Sequence, residues 1–150
     1  MEINKEEPNQ LYTVAFKRVW RTVNAGFNWA PITEEIASGT SVDSSKAIGI
    51  GSGTDPTIYI DGPKGFFYRI DNVRTSSPGS EVNLRSRVPN NIKGSFLACL
   101  AVNPNKDSEV FVALSDYSTT QQPRIYRVEM QILQARFLDP FQEILIKIYL

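Results

Sequence analysis

Apolar and polar residues alternate along this chain in short runs, a pattern that predicts β-strands rather than helices. Eleven such runs are present within residues 1–130, and they fall into three groups. The predicted strands are residues 2–4, 11–16, 19–23 and 28–32; residues 46–51, 57–61, 66–70 and 82–87; and residues 96–102, 109–115 and 124–130. Helical spacing of apolar residues is confined to residues 129–137, and Pro140 would end such a helix.

The three groups repeat one layout. Tyr12, Tyr59 and Phe111 each lie nine residues after an aliphatic residue, and they are 47 and 52 residues apart. Each group also contains an aromatic–arginine pair. These pairs are Trp20-Arg21, Tyr68-Arg69 and Tyr126-Arg127. A repeated unit of roughly 40–50 residues with four short strands is typical of a β-propeller blade. We therefore predict an all-β fold, a partial β-propeller of about three four-stranded blade units that is incomplete at both ends.

A propeller closes its ring with roughly four to eight blades, which is more than this chain supplies. Two explanations remain open at this point. Either the chain is a piece of a larger protein, or several chains assemble one ring and self-associate through open blade edges. The first is the simpler expectation, because both ends cut through a repeated unit rather than fall between units. Residues 143–150, with the sequence EILIKIYL, alternate as a strand would and carry one protective charge, Lys147.

Charge and composition exclude several classes of function. Sixteen basic residues balance sixteen acidic ones, which argues against a nucleic-acid partner. The sequence has no apolar stretch of about eighteen residues, and its start has no signal peptide pattern. The lack of histidine removes the usual general base and metal ligand, so we expect no cofactor and no metal. Cys99 alternates with apolar neighbours, which predicts an inert core thiol.

A tight polar turn joins two of the predicted strands between residues 18 and 32. Asn and Gly suit such a turn because both tolerate positive φ. The turn resembles the Asp-box, or BNR, repeat of sialidase-like and sortilin-like β-propellers, whose pattern is Ser/Thr-x-Asp-x-Gly-x-Thr-Trp. Thr22, Gly26 and Trp29 match this pattern, while Asn24 and Asn28 replace the Asp and the second Thr. The resemblance implies that these five residues close a hairpin and that Trp29 packs over the blade core.

A second resemblance lies at the C-terminal end. Residues 137–141, Phe-Leu-Asp-Pro-Phe, followed by residues 143–150, are similar to the start of the C-terminal sorting domain of type IX secretion in Bacteroidetes. Asp139 stands where that pattern has Asn. We therefore expect a propeller region over residues 1–130 and a tail over residues 131–150. The two resemblances together imply an extracellular or cell-surface location.

Candidate catalytic groups lie in or beside turns, where Asp is an ordinary residue. They are Asp43, Asp55, Asp61, Asp71, Asp107 and Asp116. Glycoside hydrolysis needs two carboxylates at a defined separation, and nothing in the sequence brings two of these together. Arg21, Arg69 and Arg127 recur at one place in the repeat, which indicates blade architecture rather than a substrate-binding cluster. The glycine-rich residues 49–53 precede a strand, so they lack the helix N-terminus of a phosphate cradle.

The sequence favours a non-catalytic β-propeller repeat module of a larger exported protein, which binds a ligand or serves as a scaffold. Its partner would be a protein or a carbohydrate, held by loops at one end of the blades such as residues 116–123. Trp20 and Trp29 would stack sugars in a carbohydrate site, but core packing is the favoured role for both. The alternative is a fragment of a propeller glycoside hydrolase of the sialidase or xyloglucanase type. A third possibility is an assembly factor that acts on a membrane complex.

Overall fold

The computed structural model describes residues 1–36, 47–62, 66–84, 97–114 and 125–129. Eleven β-strands in this part of the chain form three antiparallel sheets, each built from consecutive strands. The first sheet contains β1 (Glu2–Ile3), β2 (Leu11–Ala15), β3 (Arg18–Thr22) and β4 (Ala30–Pro31). The second contains β5 (Ile48–Ile50), β6 (Ile58–Gly62), β7 (Phe66–Ile70) and β8 (Val82–Asn83). The third contains β9 (Leu97–Asn103), β10 (Lys106–Leu114) and β11 (Ile125–Glu129).

Strand pairing confirms the repeat. Tyr12 is paired with Arg21 in the first sheet, and Tyr59 is paired with Arg69 in the second. Phe111 is paired with Arg127 at the corresponding place in the third. The three sheets are therefore copies of one meander in the same register.

The sheets stack face to face through alternating side chains. We call the side of each sheet that carries Tyr12, Tyr59 or Phe111 its forward face, and the other side its backward face. Successive side chains of a strand point to opposite faces, so each sheet of the stack packs on two neighbours. The forward face of the first sheet meets the backward face of the second in a core of Tyr12, Val19, Ile32, Ile36, Ile58, Ile60, Tyr68, Ile70 and Val73. The forward face of the second sheet meets the backward face of the third in a core of Ala47, Tyr59, Phe67, Leu84, Leu100, Val110 and Val112.

The innermost strands converge. β1 lies against β5, and β5 lies against β9. Each of these three strands is the first strand and one edge of its own sheet. Sequential meanders that stack face to face, with their first strands together, are the arrangement of propeller blades. The chain is all-β and forms a partial β-propeller, as predicted.

The turn between β2 and β3 differs from the prediction. Residues 11–16 were expected to be one strand, but β2 ends at Ala15, and Phe16 and Lys17 form a two-residue hairpin loop. Both loop residues have positive φ, 51° and 62°, as the type I′ turns of tight hairpins require. Phe16 is 88% exposed, because its position in the turn directs it away from either core.

The position of Cys99 also differs from the prediction that its thiol lies in the core. Cys99 is exposed rather than buried in the core. It belongs to the same strand as Leu100, whose side chain packs in the core against the second sheet, so the neighbouring Cys99 points to the forward face. The predicted loop at residues 116–123, the tail at residues 131–150 and nearly all of the helical candidate lie outside the described residues.

Candidate functional site

The hydroxyl of Thr22 organises the Asp-box-like turn that follows β3. Its oxygen accepts hydrogen bonds from the main-chain N–H groups of Gly26, at 3.0 Å, and Asn24, at 3.3 Å. The same hydroxyl donates to the side-chain oxygen of Asn24, at 2.8 Å. Thr22 is buried, so these bonds satisfy a polar group that would otherwise cost free energy.

The side chain of Asn24 closes the other half of the turn. Its Oδ1 atom accepts from the main-chain N–H of Asn28, at 2.9 Å. Ala25 and Gly26 take the positive φ values, 55° and 94°. The geometry brings Thr22, Asn24, Gly26 and Asn28 together in one turn, with the Asn24 oxygen as its central acceptor.

The two tryptophans lie outside the cores that were expected to contain them. Trp29 is 38% exposed and belongs to neither hydrophobic core of the described residues. It lies beside Gly26, where a Cβ atom would be 3.9 Å from the indole nitrogen. Trp20 is half-buried, and its indole N–H donates to the main-chain oxygen of Ala15, at 2.9 Å. Trp20 has the opposite parity in β3 to Val19, which packs in the core, so its ring lies on the backward face of the first sheet.

A groove runs across the three innermost strands. It has a volume of about 360 Å³ and is lined by residues 2–6, residues 48–52, residues 100–102 and Pro104. Aliphatic side chains and main chain of β5 and β9 form much of its wall. Charge is supplied by Glu2 in β1 and by Lys5 and Glu6 after it. This volume is within the range of roughly 300–1,000 Å³ found for small-ligand sites.

Side chains link the hairpin loops at one end of the groove. The Asn4 amide donates to the main-chain oxygen of Gly53, at 3.0 Å, and the Gln10 amide donates to that of Thr54, at 3.2 Å. The loop of the second sheet is in turn bound to β10 of the third sheet. Ser52 donates from both its N–H and its hydroxyl to the Asp107 carboxylate, at 3.0 and 3.1 Å. The first loop, the second loop and the start of β10 therefore form a connected rim beside the groove.

The loops occupy matching places in the repeat. Asn4 N–H donates to the Gln10 oxygen in the first loop, and Gly51 N–H donates to the Thr57 oxygen in the second, at 3.0 and 2.8 Å. The third loop is a tighter turn in which Asn103 pairs with Lys106, and Asn103 Nδ2 also donates to Glu109, at 2.9 Å.

The glycines of β5 and the loop after it serve packing between sheets. A Cβ atom on Gly49 would lie 3.1 Å from Val102 Cγ2 and 3.3 Å from Leu100 Cβ. A Cβ atom on Gly51 would overlap the carboxylate of Asp107. These glycines let this part of the second sheet approach the third sheet closely, and the chain continues from them into β6 rather than into a helix.

Four of the six candidate acids have structural partners. Asp55 accepts from the main-chain N–H of Arg74, and Asp61 accepts from that of Ala47, at 2.6 and 2.9 Å. Asp71 forms an ion pair with Arg69, at 2.7 Å, and Asp107 binds Ser52 as described. Asp43 and Asp116 lie outside the described residues.

The repeated arginines all have structural partners, and it is Arg21 that links two blades. Arg21 donates to the main-chain oxygens of Val73 and Ser76, at 2.7 and 3.3 Å, and so crosses from the first sheet to the second. Arg127 forms an ion pair with Glu109 in its own sheet. Arg18 lies 3.8 Å from Glu34, an ion pair on the surface. Arg85, Arg87 and Arg124 are outside the described residues.

Two buried tyrosines have shifted ionisation. Burial raises the pKa of Tyr12 to about 12, and burial raises the pKa of Tyr59 to about 12 as well. The Tyr12 hydroxyl donates to the Gln10 side chain, at 2.9 Å, and the Tyr59 hydroxyl donates to the main-chain oxygen of Asp107, at 2.8 Å. Both groups are neutral hydrogen-bond donors at physiological pH.

The described ranges hold no cluster of three His, Cys, Asp or Glu side chains arranged to bind a metal ion. No helix in this same part of the chain has the length and apolar character needed to cross a bilayer.

The groove is the feature that sequence reasoning missed. The sequence contains a usable signal, since residues 2–4, 46–51 and 96–102 are the first predicted strand of each unit. First strands of propeller blades face the ring axis, so their edges and the loops that follow them form the central surface.

No protein-family model and no curated protein sequence matches the chain. Among solved structures, the chain is similar to "YCF48 bound to D1 peptide", with 8% sequence identity and a TM-score of 0.42. The match covers 81% of this chain and 32% of that one. The chain thus spans about a third of the length of the structure it matches.

Proposed function

We propose that this chain is a non-catalytic binding module of an exported β-propeller protein, and that its groove holds a short extended peptide segment of a partner protein. The observation that supports this is the convergence of β1, β5 and β9 on one groove. Each of the three is an edge strand with a sheet neighbour on one side only. An edge strand offers unpaired main-chain N–H and C=O groups, which an extended peptide can bind.

The lining of the groove favours a peptide over a carbohydrate. No aromatic residue is among the residues that line it, whereas flat aromatic rings are the usual platform for sugar rings. Ile48, Ile50 and Val102 present aliphatic surface that suits the apolar side chains of a peptide. Lys5 and Glu6, both exposed, supply charges that would fix the direction of the bound segment.

The Asp-box identity of the turn and the export of the protein are parts of the same proposal. The bonding of Thr22 and Asn24 supports a box-type turn, and the sequence of residues 137–150 supports a secretion tail. Protease treatment of intact cells that express the gene tests the export. Digestion of the chain on intact cells is expected, and full protection until the cells are lysed would contradict it.

A random library of twelve-residue peptides displayed on phage tests the binding function. We expect enrichment of peptides with alternating apolar side chains, and saturable binding of a synthetic copy in calorimetry. Binding to the double variant Lys5→Glu, Pro104→Arg should be at least about tenfold weaker, because both residues line the groove. The matched control is Lys17→Glu, a charge reversal in the exposed turn between β2 and β3.

Three results would contradict the proposal: no enriched peptide, a peptide that binds the double variant as tightly as the unaltered chain, or saturable binding of an oligosaccharide panel instead.

A further inference from the structure

The repeat position occupied by Tyr12, Tyr59 and Phe111 is buried in the first two sheets and exposed in the third. Tyr12 and Tyr59 are 0% exposed, because the next sheet covers each of them. Phe111 has the same register in the third sheet and is 40% exposed. The forward face of the third sheet is thus built like the two that are covered.

The character of this face is apolar. Phe111 shares it with Cys99 and Ala101, both exposed, and with Ile125, which is 68% exposed. Arg127, also on this face, is neutralised by its ion pair with Glu109. The Tyr59 hydroxyl donates to the main-chain oxygen of Asp107 in the sheet that covers it. Phe111 has no hydroxyl group, so it needs no such acceptor in a covering sheet.

The structure shows what covers a forward face. In both contacts within the chain, the cover is the backward face of the following sheet. One backward face in the described part of the chain has no sheet packed on it, that of the first sheet. It carries Ile3, which is 48% exposed, with Leu11, Thr13 and Trp20 half-buried beside it.

We propose that the forward face of the third sheet packs against the backward face of the first sheet of a second copy of this chain. The forward face of the third sheet of the second copy then packs against the backward face of the first sheet of the first copy. Both contacts can form in one dimer, because the two faces lie at opposite ends of the stack. Head-to-tail contacts of this type form rings when their rotation closes. The sheets described in two copies number six, and six is within the range of roughly four to eight blades in closed propellers.

This arrangement also completes the groove. β1, β5 and β9 of each copy would line half of a central channel, so the groove would be enclosed rather than open on one side. The inference does not depend on which ligand the groove binds.

Light scattering after size exclusion tests the assembly. The unaltered chain is expected to have twice the mass of one chain. Phe111→Glu and Ile3→Glu should each give a monomer, since each places a charge in an apolar contact. The matched control is Phe27→Glu, because Phe27 is 87% exposed and lies in the turn after β3. This variant should remain a dimer, and circular dichroism should show the same β-content for all of them.

Charge pairing distinguishes the head-to-tail contact from a symmetric one. The double variant Phe111→Glu, Ile3→Lys should recover dimer, because each contact then joins a Glu to a Lys. A dimer built on two equivalent Phe111 faces would instead stay dissociated.

The reaction rate of the Cys99 thiol provides a second test, which does not depend on the measured mass of the assembly. A maleimide should react with its thiol at least about tenfold more slowly in the unaltered chain than in Phe111→Glu, because the contact would cover it. A monomeric unaltered chain with a freely reactive Cys99 would overturn the proposal and would place the covering sheet elsewhere. A trimer, an open polymer, or a dimer that both single variants leave intact would overturn it equally.

Discussion

The hydroxyl of Tyr59 donates a hydrogen bond of 2.8 Å to the main-chain oxygen of Asp107, and so joins the second sheet to the third. The carboxylate of the same aspartate accepts from Ser52, in the loop between β5 and β6 of the second sheet. One residue of the third sheet is therefore held at two points, through its main chain and its side chain.

Removal of the Tyr59 hydroxyl should weaken this contact between sheets. We expect Tyr59→Phe to lower the free energy of unfolding by about 1–2 kcal/mol, since the Asp107 oxygen loses its donor in a partly buried site. Urea denaturation measures the change. In hydrogen exchange, amides of β9 and β10 should lose more protection than those of β2. Equal loss across all sheets would contradict the assignment of this bond to one contact.

Alkaline pH should destabilise the fold. Tyr12 and Tyr59 have pKa values near 12 in the folded chain, against 10.0 for an exposed tyrosine. Between these values the unfolded chain loses protons that the folded chain keeps, so stability is complete below about pH 10 and falls as the pH rises toward 12. Thermal melting across this range should show the fall. Tyr12→Phe and Tyr59→Phe should each reduce its slope, and an unchanged slope in both would show that neither tyrosine is the cause.

A methyl group at Gly51 should disturb the rim. Its Cβ would overlap the Asp107 carboxylate, so the carboxylate must move away from Ser52. We expect Gly51→Ala to cost about 1–3 kcal/mol, as loss of satisfied polar contacts does. Gly79→Ala is the matched control, since nothing lies within 4 Å of its Cβ position and its cost comes from a φ of +91° alone. A double variant with Ser52→Ala should cost less than the sum of the single changes.

The turn between β2 and β3 can be improved. Phe16 and Lys17 hold positive φ, which Asn and Gly tolerate better, and Phe16 contributes little buried surface. The double substitution Phe16→Asn, Lys17→Gly should raise stability by about 1 kcal/mol. A higher melting temperature with an unchanged β-sheet spectrum is the expected result. A lower melting temperature would show that Phe16 makes stabilising contacts although its side chain is exposed.

Restoring the aspartate of the Asp-box should strengthen the turn. Asn24 Oδ1 accepts from Thr22 and from Asn28, so an aspartate carboxylate at this position would receive the same donors with a full negative charge. We expect Asn24→Asp to add about 0.5–1 kcal/mol at neutral pH. Donors lower the pKa of such a carboxyl, so the gain is present above about pH 4 and disappears as the pH falls. Asn28→Asp is the control, because only the main-chain N–H of Asn28 takes part.

Local patterns predicted the strands and the repeat better than they predicted exposure. Alternation is a property of each strand, so every described strand lies where an apolar run occurs, and the spacing of Tyr12, Tyr59 and Phe111 reproduces the strand pairing. Burial depends on which sheet lies opposite. Cys99 and Phe111 have apolar surroundings in sequence, but they point to a face that no other described sheet covers.

The candidate site was harder to predict for a related reason. The Asp-box resemblance rests on residues close in sequence, and the hydrogen bonds among Thr22, Asn24, Gly26 and Asn28 span at most four residues. The groove instead combines residues from three sheets, spread over more than ninety positions of sequence, and no short-range pattern links Lys5 to Pro104.

The loops that follow β1, β5 and β9 have the same number of residues between matching strand positions, yet they do not share one shape. The first two loops are each closed by a main-chain hydrogen bond across six residues. The third turns tightly at Pro104 and Asn105, and a shift in strand register between Lys106 and Val110 restores the alignment with the other sheets. The outline of the rim can therefore change by substitution alone, without insertion or deletion. Such a surface can acquire a new binding preference during evolution while the spacing of the repeat, and with it the packing of the blades, stays constant.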